Sequence, residues 1–256
     1  SELGMLRESV RRFAREVVAP TREALNHFPE RPLPAGLVPG LGELGLFDAE
    51  IELPLLGVAL EELSKVAAAP AALVLTHAFA RALVREAGGG RSAALGGLNG
   101  HGLFACPIYS ELDLSDDAPT LRRVGSEIEL DGTAPLVVGA PLARVLVLPV
   151  RDAGGWGLVG LESSEPGVGE PLLTLGMRGC PSADVSFQRS RFPADRLLAT
   201  SPDVARRALR RFRGAAVAIS AGVLSSSVVA ATEYAQERYQ GGGAILEHQE
   251  VRAILG

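Results

Sequence analysis

The sequence is poor in aromatic residues, which make up 5% of its 256 positions. It has two cysteines, and Lys65 is its single lysine. Few aromatics means a core built from Leu, Val and Ala, which suits closely packed helices. Cys106 and Cys180 are far apart and form no CxxC pair, so neither a zinc ribbon nor a thioredoxin-type motif is indicated. The basic residues are otherwise arginines and are spread among acidic ones, for a net charge of −5. That charge lacks the cationic footprint nucleic acid requires. The first residues, SELGMLRESVRRF, contain no signal-peptide apolar region, and no apolar run approaches the roughly 18 residues of a membrane helix. The expectation is a cytoplasmic chain with no nucleic-acid or membrane partner. At this length it can bury a sizeable core without disulfide or metal.

The hydrophobic spacing divides the chain into three textures. Leu6, Val10, Phe13 and Val17 repeat at helical intervals, and Pro20 ends or bends that helix. A Pro- and Gly-rich loop, Phe28–Gly40, leads to a short helix at Leu41–Phe47 closed by Gly45. Two apolar helices follow, Leu55–Ala68 and Ala71–Ala87, stopped by Gly88-Gly89-Gly90. From Leu103 to Leu198 the period becomes two. Glu127–Gly132 alternates and then turns, as in a hairpin. Arg144–Val150 and Trp156–Leu161 are buried-strand runs, and Asp184–Phe187 is a shorter one. Beyond Pro202 the spacing predicts one long helix, Arg206–Gln240, broken by Gly241-Gly242-Gly243 and resumed over Ala244–Leu255. The predicted organisation is a helical domain over residues 1–102, a β-domain over 103–200 and the start of a helical bundle over 201–256.

Four segments resemble the acyl-CoA dehydrogenase superfamily. Leu6–Phe13 with Val18-Ala19-Pro20 resembles its first helix. Glu43-Leu44-Gly45-Leu46 and Leu60-Glu61-Glu62-Leu63 resemble its "ELGL" and "LEEL" stretches. Leu175–Ser182, Phe187 and Pro193–Leu198 resemble the segment that closes its β-domain. Tyr234–Gln249 resembles "YAxxRxQFGxxLxxxQ" of its C-terminal domain. The match runs along the whole chain but over only part of the family's usual length. It implies an α+β fold: a helical N-terminal domain, a middle antiparallel β-domain and a partial C-terminal helical bundle.

The resemblance also implies α,β-dehydrogenation of an acyl-CoA or acyl-carrier thioester with FAD, in a homo-oligomer or a hetero-oligomer with a homologous chain; the alternatives are a non-catalytic subunit with a degenerate flavin site in such a heteromer, or an acyl-thioester-binding protein. FAD would carry the redox chemistry and the protein would orient it. Of the family's flavin loop, "TEPGAGSD", only Ser115 and Asp116 remain in Tyr109–Asp116. Leu112 and Leu114 replace glycines that let the main chain approach the cofactor. The favoured reading of this segment from its own residues is a surface loop capping a strand. Leu136 stands where the family has a tryptophan on the flavin, and Val138 where it has a hydroxyl; an ordinary core strand explains both. Arg238 aligns with an arginine that pairs with the neighbouring subunit's FAD pyrophosphate, and Gln249 with a glutamine reaching that FAD. Arginine suits the role through its paired donors, although an exposed helix end explains it as well.

The family's usual catalytic glutamate lies beyond position 256. The earlier glutamate position, one before the arginine that aligns with Arg213, is Phe212, and no catalytic residue is identified. Arg213 is the candidate substrate contact. It belongs to a basic stretch with Arg206, Arg207, Arg210 and Arg211 that could meet CoA phosphates, face a partner, or be solvated. Glu61 and Glu62 read as scaffold residues. His27, His77, His101 and His248 lack metal-ligand spacing, so no metal is expected. Two C-terminal helices cannot close a four-helix bundle, so Ala215–Ala231 and Ile245–Leu255 are expected to expose apolar faces.

Overall fold

A computed structural model describes residues 1–48, 51–88, 102–107 and 118–255. The first helix, α1 (Glu2–Phe13), does not stop at Pro20. It continues through a π-helical turn, Ala14–Val18, and a 3-10 turn, Ala19–Thr21, into α2 (Arg22–Asn26). Pro20 sits where its missing N–H costs little, so it bends the chain without breaking it. Then follow α3 (Leu37–Glu43), α4 (Leu53–Ser64) and α5 (Ala68–Glu86). Of α5, the residues Ala71 to Ala80 are buried without exception. Such a helix is enclosed on all sides.

Among the described residues ten strands follow, eight of them in one sheet: β1 (Phe104–Pro107), β2 (Thr120–Val124), β3 (Glu127–Val138), β4 (Val145–Val150), β5 (Gly157–Glu162), β6 (Gly167–Val168), β7 (Ser182–Pro193) and β8 (Leu197–Ala199). The pairings within it are antiparallel except one. β1 runs parallel to β4, because the chain passes through β2 and β3 before returning to β1's other side. The expected turn at Asp131-Gly132 is corrected. The hairpin turns at Gly125-Ser126, between the paired Val124 and Glu127. Gly132, with φ +112°, lies inside β3 beside a pairing irregularity whose extra residue is on β7, at Gln188-Arg189. Both parts of β3 pair with the twelve-residue β7, which carries the strand past the glycine.

β4 explains its own uninterrupted apolar run. Val145 and Val147 pack into the helical core, and Leu146, Leu148 and Val150 into the core of the β-domain. A strand buried on both faces has no polar side to show.

The long helix α6 (Asp203–Glu237) packs across α4 and α5. A two-stranded hairpin, β9 (Tyr239–Gln240) with β10 (Gly243–Ala244), and α7 (Gln249–Leu255) follow it. Val217, Leu224 and Val229 on α6 and Ile254 on α7 are exposed. The expectation that no segment is apolar enough for a membrane needs correction: α6 is long and apolar enough to cross one by length and composition. Its alanines, serines and glycines interrupt the apolar run without making it polar.

Candidate functional site

The C-terminal corner is shaped by the glycine-rich turn. Gly241 and Gly242 take positive φ, +69° and +95°, which lets β9 and β10 reverse tightly. Tyr239 donates its hydroxyl to the Gly242 carbonyl at 3.2 Å. The His248 ring hydrogen-bonds the Gln240 carbonyl at 2.9 Å. Arg238 is the first residue past α6, and its carbonyl accepts the Ile245 N–H at 2.8 Å. Gln249 opens α7. The hairpin thus brings Arg238 and Gln249 to one corner of the fold. Both side chains are exposed, without an ion-pair or hydrogen-bond partner among the described residues. Arg213 is also exposed. It lies 25 residues back along α6, about 37 Å at the helical rise, so it belongs to a different place. Ser115, with the rest of Tyr109–Asp116, and His101 fall outside the described residues.

Leu136 stands at the β3 bulge between Ala134 and Val137. Its φ is +51°, a conformation that leucine rarely adopts. Its N–H donates to Asp184 Oδ1 at 2.9 Å, and half of the residue is exposed. Val138, two residues on, is half-buried and packs against the helical core, between Cys106 of β1 and Ser182 of β7. Leu172, Leu173, Leu175 and Met177 are exposed in the segment leading into β7.

At the earlier base position Phe212 is a core residue. It is 8% exposed and lies edge-on to Phe79 with ring centroids 5.8 Å apart. No carboxylate occupies that position, so no proton can be taken there. Glu62 is buried on α4, where Arg11 Nε and Nη2 donate to its two oxygens at 3.1 and 3.2 Å and Lys65 Nζ to Oε1 at 3.0 Å. Burial pushes its carboxyl up, but the hydrogen bonds from Arg11 and Lys65 outweigh this and hold it below the ordinary range. It is a clamp between α1 and α4, as the scaffold reading expected.

Cys106 and Cys180 are both free and buried. Burial raises both thiols, Cys180 to about 12. Neither has the thiolate character of a nucleophile.

These positions test the fit of a flavin. At the ring, Leu136 offers no aromatic face and its N–H is already engaged, and Val138 offers no donor. Leu136 and Val138 therefore give an isoalloxazine neither an aromatic face nor a side-chain donor. Arg238 and Gln249 do fit the phosphate end of such a cofactor, but they present their donors outward.

Comparison with known proteins gives consistent results. Residues 1–89 match the family described as "Acyl-CoA dehydrogenase, N-terminal domain". The acryloyl-CoA reductase (NADH) of Anaerotignum propionicum is 24% identical, over 98% of this chain and 70% of its own. The (2S)-methylsuccinyl-CoA dehydrogenase of Cereibacter sphaeroides is 26% identical, over 99% of this chain and 53% of its own. The chain thus spans about half the length of the second relative. Among solved structures, a glutaryl-CoA dehydrogenase from Mycobacterium smegmatis in complex with FADH2 has a TM-score of 0.85 at 18% identity, covering 100% of this chain and 70% of that one. Butyryl-CoA dehydrogenase from Megasphaera elsdenii has a TM-score of 0.84 at 18% identity, covering 99% and 73%. At such identities the structural likeness speaks for the fold alone.

Proposed function

Because the chain belongs to the acyl-CoA dehydrogenase superfamily, we propose that it serves the α,β-dehydrogenation of an acyl thioester as one subunit of an assembly with a homologous, flavin-holding chain. The observation that carries this reading is the pairing of Leu136 and Phe212. The first replaces a ring contact with an exposed leucine. The second replaces a carboxylate with a core aromatic. A chain built this way holds no base at that position and little to grip a flavin ring.

Its positive contribution is the corner at Arg238 and Gln249. The arginine side chain is unengaged and can fork onto a pyrophosphate belonging to the neighbouring subunit. The exposed residues Val217, Leu224 and Val229 supply apolar surface for that association. A reducing cytoplasm is the setting this reading assumes, and two free cysteines suit it.

Arg238→Ala in the co-purified assembly is expected to weaken flavin retention about tenfold, the worth of one charge-assisted contact of about 1.4 kcal/mol. Flavin released on dilution, read by fluorescence, measures this while the variant's own fold is unchanged. Retention equal to wild type would remove Arg238 from the cofactor's surroundings.

A further inference from the structure

Beside Phe212 lies a second concave feature, separate from the C-terminal corner. On α5, Ala78, Arg81, Ala82 and Arg85 recur at i, i+3, i+4 and i+7, so they share one helix face. Arg211 and Phe212 of α6 close over that face, and Asp48 and Ile51 complete the wall. Inside, the crevice has room for about one water, about 20 Å3, and it opens to solvent, so a ligand's charged group meets it at the mouth.

The composition of this wall is unusual for its size. Among the described residues three arginines from two helices and one carboxylate, Asp48, line it. None of the three forms an ion pair within the described residues. Their neighbours on α6 do: Arg206 pairs with Asp203 at 3.0 Å and Arg207 with Glu86 at 2.8 Å. Solvation explains the exposed Arg210 and Arg213, and Arg85 and Arg211 are exposed as well, at the mouth of the crevice. It does not explain Arg81. That side chain is partly buried and its guanidinium lies over the Phe104 ring, 4.9 Å from the centroid. Burial lowers its pKa, and among the described residues Asp48 opposes that shift. A cation removed from water beside two others is held at a cost unless an anion joins it. A carboxylate or phosphate at the mouth would give these guanidinium groups an acceptor for charge-assisted hydrogen bonds.

We propose that Arg81, Arg85 and Arg211 form a recognition site for the carboxylate or phosphate group of the acyl-thioester ligand. The proposal rests on the thioester reading above and sharpens it. A carboxylate would make the substrate an acyl group with a second acid at its far end. A phosphate would make the site a grip on the carrier.

Calorimetric titration of the full chain at low ionic strength with inorganic phosphate and, separately, succinate tests this. Saturable binding of at least one anion is expected. It should weaken at least tenfold in Arg81→Gln and in Arg211→Gln, which lie on different helices, and stay unchanged in Arg12→Gln on α1. Preference for succinate assigns the site to the acyl end, and preference for phosphate to the carrier. Circular dichroism establishes that each variant is folded. No saturable binding of either anion, or binding unchanged in both crevice variants, overturns the proposal. The titration contains neither flavin nor thioester, so failure of the subunit role in the flavin assay would leave its result standing, and the converse holds.

Discussion

His77→Leu should destabilise the chain by roughly 1–3 kcal/mol for each of two buried backbone groups it strands. It should also flatten the acid side of the stability profile. His77 is 1% exposed, between Phe47 and Phe104 with ring centroids at 4.8 and 5.5 Å. Its Nδ1 accepts the Phe104 N–H at 3.1 Å, so Nε2 carries the proton it donates to the Phe47 carbonyl, also at 3.1 Å. One neutral ring therefore ties α5 to β1 and to the turn after α3. Burial, with Arg81 nearby, pushes its pKa down to about 3 from 6.5.

Between these values the folded chain binds fewer protons than the unfolded one, so stability falls as pH falls below 6.5. The loss should approach about 1.4 kcal/mol per pH unit, roughly 2 kcal/mol by pH 5. Carboxylates with lowered pKa, such as Glu62, lose their contribution further down. Urea unfolding between pH 7 and 5 isolates the histidine. A wild-type profile flat over that range, or a leucine variant that parallels it, would contradict the account.

The second large effect is a contrast between two glycines of α6. Gly222 is buried, and a Cβ there would collide with the Ser64 hydroxyl and the Glu61 carbonyl of α4. Ser64 cannot easily yield, because its Oγ donates to the Leu60 carbonyl at 2.7 Å. Gly214 has nothing near the same position. Alanine in a helix is normally worth up to about 1 kcal/mol over glycine. Gly214→Ala should therefore stabilise by about that amount. Gly222→Ala should destabilise by about 1–3 kcal/mol, and valine by more, since α6 must move off α4. Denaturation midpoints of the two variants should move in opposite directions. A shift of the same sign in both would mean that α6 does not approach α4 this closely.

Much of this fold was legible because its signals are periodic. The boundaries of α6 lie within three residues of those read from spacing, Arg206–Gln240 against Asp203–Glu237. β4 stood out as a continuous apolar run. Gly132 was misread because Asp-Gly is a strong turn signal, and only pairing with β7 on both sides of it keeps it inside a strand. Gly222 and Gly214 look alike in sequence; their difference is the proximity of α4. The arginine crevice was invisible for the same reason. Arg211 was read as part of a basic stretch, and nothing in the spacing joins it to Arg81 and Arg85. Arg238 and Gln249 could be singled out by their resemblance to family positions, but the glycines between them were read as a helix break, and the hairpin that brings the two to one corner was not foreseen.

The most direct test of the central claim is the visible absorption spectrum of the purified chain, alone and co-expressed with an acyl-CoA dehydrogenase homologue from its genomic neighbourhood. The account predicts no flavin bands from the chain alone and a flavin spectrum from the co-purified assembly. Stoichiometric flavin in the chain alone would contradict it, and would mean that Leu136 and Val138 sit within a working cofactor site.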